Sequence, residues 1–185
     1  MTMVGKGGRV TNPRTGQVMI FLKTSEETNG ELLKIECFSP PTLEREPEHI
    51  HPLQENSFEI ISGSCVFEVD GKEQIVGPGE SINIPSNVPH HFWNSGDKDA
   101  HYLQEFKPAL KIDRFFETFF ALARDGKLNK NGILNFFHTS IIGLAYKDEI
   151  QLTKPPWVLQ NIIYKILAPF GKLMGYSADY KSTMP

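Results

Sequence analysis

Cysteine is scarce in this chain: Cys37 and Cys65 are the two among 185 residues, and they stand far apart with no Cys-x-x-Cys spacing. A disulfide framework and a cysteine-built zinc site therefore have little support, and both thiols are expected to be reduced and buried. A dominant charge of one sign is also lacking. With 19 basic and 22 acidic residues the formal net charge is -3 at pH 7, which leaves no electrostatic footprint for DNA or RNA. Long hydrophobic runs are missing as well. The most apolar stretch, PPWVLQNIIYKILAPFGKLMGY from residue 155 onward, is interrupted by Gln160, Asn161 and Lys165. Its unbroken apolar runs fall well short of the roughly 20 residues that cross a bilayer. The first residues, MTMVGKGGRVTNPRTGQ, contain no apolar core of a secretory signal, so a cytoplasmic location is expected.

What is present divides into two halves with different periods. From about Gln17 to Phe106 short β-favouring runs follow one another, broken by Gly and Pro: QVMIFLKT, ELLKIECF, SFEIISG, SCVFEV, EQIVG, SINIP, HHFWN and AHYLQEF. Strands at such close spacing predict a sandwich or barrel. The Asp-Gly pair in VDGKE and the glycines of GPGE supply tight turns, which favours antiparallel pairing.

After Pro108 the period lengthens. Ile112, Phe115, Phe116, Phe119, Phe120 and Ala123 recur at three- and four-residue steps, the pattern of an amphipathic helix that Gly126 can end. A second helix is expected from about Ile133 to Tyr146. A third follows Pro155 and Pro156, with Leu159, Ile162, Ile163, Ile166, Leu167 and Phe170 on one face, and Pro169 is expected to kink or end it. That face is expected to pack on the barrel or on a second subunit, the alternative being an interfacial helix at a membrane surface. The boundary between the halves is set at 1–108 and 109–185, one core plus an extension.

Three histidines carry the chemistry. Residues i and i+2 of a strand share a face, so His49 and His51 would present their rings together. His90 opens another strand, with Phe92 and Asn94 on its face. Alternation counted back from Phe58 and Ile60 turns Asn56 inward and Ser57 and Glu59 outward. Glu55 then points away unless the strand entry turns it back.

Here the chain resembles the cupins. Their first motif is met at His49, His51 and Gly63, and their second from Gly79 through Pro85, His90 and Asn94. Asn87 stands at the second motif's inner glycine, a mild change because asparagine tolerates left-handed turns. Leu43 stands at the first motif's leading glycine, and Asn56 stands at the glutamate, with Glu55 within reach of the shorter spacing. The resemblance, over roughly residues 15 to 108, implies a mainly β fold. Its form would be a double-stranded β-helix, or jelly-roll, barrel followed by a helical C-terminal extension of about three helices. It also implies a homodimer and a divalent transition metal (Fe, Mn, Ni or Zn) in the barrel mouth.

On that basis His49, His51 and His90 are the expected metal ligands, with Asn56 as a neutral oxygen donor and Glu55 as fallback ligand and candidate proton carrier. Phe58, Phe92, Tyr102 and Gln104 are expected to line a pocket for a small apolar or aromatic ligand with one polar handle. The expected function is a metal-dependent enzyme, oxygenase-like or isomerase-like, with a non-catalytic ligand-binding or scaffold protein as the alternative. His91 and Trp93 should face outward, Trp93 beneath a helix or at a dimer interface. His101 and His138 are expected to be solvated or hydrogen-bonded.

Overall fold

The computed structural model describes residues 5–42, 45–129 and 132–182. Leu43, the departure from the first motif's glycine, lies outside them. Ten strands precede the first helix: β1 (Arg9–Thr11), β2 (Val18–Lys23), β3 (Leu33–Ser39), β4 (His49–Ile50), β5 (Glu55–Ser62), β6 (Cys65–Val69), β7 (Lys72–Val76), β8 (Ser81–Ile84), β9 (His90–Trp93) and β10 (Ala100–Lys107). They are followed by α1 (Ile112–Arg124), α2 (Phe136–Ala145), β11 (Gln151–Leu152) and α3 (Trp157–Leu173). Strand pairing is antiparallel, in a sheet ordered β1-β2-β3-β10-β5-β8 and a second ordered β11-β4-β9-β6-β7. The result is a mainly β, jelly-roll-type barrel followed by C-terminal helices.

Alternation sets what each strand contributes to the interior. In β3 the residues Leu33, Ile35, Cys37 and Ser39 are buried, while Lys34, Glu36 and Phe38 between them are not. β10 repeats the pattern with Ala100, Tyr102, Gln104 and Phe106. Phe21, Phe58 and Phe67 join the apolar members of these in one continuous core, where burying each large side chain contributes on the order of 2 kcal/mol. Cys37 and Cys65 are both free and buried; desolvation pushes the Cys65 thiol up to about 12 and the Cys37 thiol higher still. Between β6 and β7 the chain reverses through Asp70 (φ 49) and Gly71 (φ 71), two left-handed residues in a row, which suits the twist of a two-residue hairpin.

The extension departs from expectation in three ways. First, it is not wholly helical: β11 pairs with β4, Gln151 opposite Ile50 and Leu152 opposite His49, so part of the segment after residue 108 belongs to the barrel sheet. Second, α3 continues through Pro169 to Leu173. Pro169 is exposed, and so is Lys165, whose carbonyl loses its donor, so that carbonyl can be hydrated instead. Third, α3 packs on α2 through Gly171 and Tyr164, while the face that includes Leu159, Ile162, Ile166 and Phe170 is exposed and does not pack on the barrel. The close approach explains the choice of face: a Cβ on Gly171 would lie 3.0 Å from the Phe137 carbonyl oxygen, and one on Gly143 would lie 2.5 Å from the Tyr164 ring.

α2 begins later than the sequence pattern suggested, because Asn135 caps it and accepts from the His138 amide at 3.0 Å. α1 ends at Arg124, with Gly126 (φ 64) two residues on.

Candidate metal centre

β4 and β9 are neighbours in the second sheet, and His49 lies directly opposite His90. His51 follows β4 by one residue. The ring centroids of His49 and His90 are 4.6 Å apart, those of His49 and His51 5.1 Å, and those of His51 and His90 5.2 Å. One ligand atom from each lies within 4.8 Å of the others, and all three residues are buried. Among the described residues no Asp, Glu or Cys joins the group.

Each ring is held by its Nδ1. His49 Nδ1 is 2.9 Å from the Pro47 carbonyl, His51 Nδ1 is 2.6 Å from the Glu149 carbonyl, and His90 Nδ1 is 2.8 Å from the Val88 carbonyl. A carbonyl can only accept, so all three Nδ1 atoms must carry the proton, and a neutral ring then leaves a bare lone pair on Nε2. Neutrality follows from the surroundings. Burial holds all three histidines below their ordinary pKa, His90 at about 3, and neighbouring imidazoles push the same way: His49 and His90 on His51, His49 and His91 on His90, and His91 on His49. The consequence is visible at His90, whose Nε2 is buried with no hydrogen-bond partner. A buried acceptor left bare is costly, and a divalent cation between three such nitrogens would satisfy it. The donor set therefore fits a transition metal.

Around the histidines, Phe106 meets the His51 ring edge-on at 5.0 Å. Asn87 adopts the left-handed conformation (φ 63) at the second motif's inner glycine position, and its amide donates to the His51 carbonyl at 2.8 Å. Asn56 is buried, and its Oδ1 accepts from Gln104 Nε2 at 3.2 Å. Glu55 does not turn inward: its side chain is exposed at the start of β5, a strand position opposite Lys107. Phe58, Phe67, Phe92 and Tyr102 pack ring against ring, with centroids 4.8 to 5.8 Å apart. The Tyr102 hydroxyl is shared between Ser39 and Gln17.

Two residues at this end of the barrel were not singled out from sequence. Gln54 is fully buried, donates to the Pro108 and Ala109 carbonyls, and keeps an Oε1 without a partner; it continues the buried set Asn56, Phe58 and Ile60, so one more step of alternation would have found it. Glu149 lies far along the chain and reaches His51 through a main-chain atom, which no side-chain pattern can signal. The outward residues have their own partners. His91 Nε2 is 3.1 Å from a Glu68 carboxylate oxygen, and Trp93 is covered by the Arg45 guanidinium 3.8 Å above its ring rather than by a helix. His101 bonds Glu36, and His138 bonds the Ser177 carbonyl.

Residues 38–104 match the family model described as a Cupin domain. The chain is 25% identical over 122 residues to the quercetin 2,3-dioxygenase of Bacillus subtilis (strain 168), a match covering 65% of this chain and 33% of that one. It is 28% identical over 137 residues to the epoxidase atD of Aspergillus terreus, covering 70% and 39%. The chain thus spans well under half of either of these relatives. Among solved structures it is similar to a predicted oxalate decarboxylase from Thermotoga maritima, with 23% identity, 54% of this chain and 90% of that one, and a TM-score of 0.49.

Proposed function

From the premise that this chain belongs to the cupin superfamily, we propose that it is a metal-dependent enzyme acting on a small organic molecule, with oxygenase-like chemistry. The single observation that supports this most is the set of three buried neutral imidazoles with their Nδ1 protons tied to carbonyls and Nε2 free. His49, His51 and His90 would hold Fe, Mn, Ni or Zn, and the bound metal supplies Lewis-acid or redox chemistry. The names of the two relatives, a dioxygenase and an epoxidase, weight the reading toward oxidation.

The protein's own residues set what can bind. Three neutral donors cancel none of the cation's charge, so the centre favours a ligand with an anionic or ionisable oxygen. Asn56 and Gln104 would offer that ligand amide groups, and Phe92 and Phe106 an apolar wall that excludes water. With Glu55 exposed, a proton step would fall to the substrate's own ionisable group.

The absence of a carboxylate beside the histidines, among the described residues, favours a second reading: a cupin that binds a small ligand without turning it over. Metal analysis of protein purified without an affinity tag tests both. Wild type is expected to carry close to one metal ion per chain, and His49→Ala and His90→Ala to lose it. Equally little metal in all three proteins would sink the metal-dependent reading. Metal without oxygen consumption across aromatic and ionisable substrates would leave the ligand-binding one.

A further inference from the structure

The apolar stripe of α3 has no partner in the described chain. Val158, Leu159, Ile162, Ile166, Phe170 and Leu173 are all exposed, Val158 at 72% and Leu173 at 87%. At about 100° per residue they fall within one continuous arc of the helix. The opposite face is occupied, since Ala168 and Gly171 are buried and Gln160 donates to the Leu152 and Pro155 carbonyls. Lys165 and Lys172 run along one border of the stripe and Lys154 precedes the helix, all three exposed. From residue 154 to residue 176 there is no Asp or Glu. Among the described residues none of the three lysines makes an ion pair.

We propose that α3 docks on an anionic lipid surface. It would lie in the plane of the membrane, with its apolar stripe sunk about 5–10 Å into the boundary between headgroups and acyl chains and its lysines against the anionic headgroups. Charge decides the occupant. A second copy docked helix to helix would bring together two lysine-bordered stripes that contain no carboxylate, so like charge meets like. An anionic bilayer gives the same stripe an apolar interior and a counter-charge at once. Geometry agrees: 17 residues extend only about 25 Å, and no described helix is long and apolar enough to cross a membrane.

The test is sedimentation of the full chain with vesicles of phosphatidylcholine mixed with phosphatidylserine, against vesicles of phosphatidylcholine alone. Binding is expected to the anionic vesicles and to weaken as salt is raised. Ile162→Glu with Ile166→Glu should weaken it about tenfold or more, as should Lys165→Glu with Lys172→Glu. All four positions are exposed, so unchanged thermal melting is expected, and the lysine pair serves if the isoleucine pair does not fold. Three results would overturn the proposal: equal binding to both lipids, full binding by both variants, or no binding together with a dimer that Ile162→Glu and Ile166→Glu dissolve. The last would assign the stripe to a second copy.

Discussion

Position 56, on β5, carries an amide where the resembled motif has a glutamate. Asn56 is 2% exposed and its oxygen is engaged by Gln104, so it is ordered in a dry wall. Asn56→Glu would place a carboxylate there. In metal-free protein that charge is buried without a counter-ion and should destabilise the fold, by on the order of 1–3 kcal/mol. A bound divalent cation would neutralise it, so metal retention against a chelator should rise about tenfold or more. Retention equal to wild type would show that position 56 does not face the metal. The inward turn of residue 56 was legible because Phe58 and Ile60 set the alternation, and the same count left Glu55 outside. The protonated Nδ1 atoms were not legible, since each depends on where a distant or preceding carbonyl points.

The elements that sequence reading recovered are those long enough to show a period. Eight strand segments announced themselves through alternation and glycine turns, and α1 through its phenylalanine stripe. The two strands it missed, β1 and β11, have three and two residues, too few for any period to appear. β11 is the costly omission, because it carries the extension into the barrel sheet and sets the Glu149 carbonyl against His51. α3 shows the converse error. Its apolar face was read correctly as a face, but α2 packs against the other side because glycine permits a closer approach than isoleucine would. Gly171→Leu tests that contact: the new side chain meets Phe137 and Ile141, and overpacking should cost about 1–3 kcal/mol in thermal or urea unfolding. Metal retention should persist, since β11 is held independently by its ladder to β4 and by Thr153 bonding the Glu48 side chain and carbonyl. Loss of metal alongside stability would mean that the α2–α3 contact, rather than the ladder, positions Glu149.

For the molecule as a whole, the histidine centre ties stability to pH. In the unfolded chain the three imidazoles titrate near 6.5, whereas in the folded protein burial holds all of them lower, His90 at about 3. Above about pH 6.5 both states are neutral there and the centre adds no slope. Below it the unfolded chain takes up protons that the folded chain refuses, so stability must fall as acid is added. The slope approaches about 1.4 kcal/mol per pH unit for each histidine fully protonated only on unfolding. Glu46 and Glu149 oppose part of this, since burial raises both carboxyls above the ordinary value, Glu46 to about 7, and their folded forms therefore hold protons that the unfolded form releases. His138, also held low by burial, adds to the fall, and four histidines outweigh two carboxyls, so the net slope keeps its sign. Chelator-treated protein should accordingly show a melting temperature that falls from near pH 6 toward pH 4. His90→Gln, which removes one of these groups, should flatten the drop by up to about 1.4 kcal/mol per pH unit. A melting temperature that stays level through pH 5 would mean the rings are solvated or already charged in the folded state, and a centre of charged rings could not offer three lone pairs to one cation.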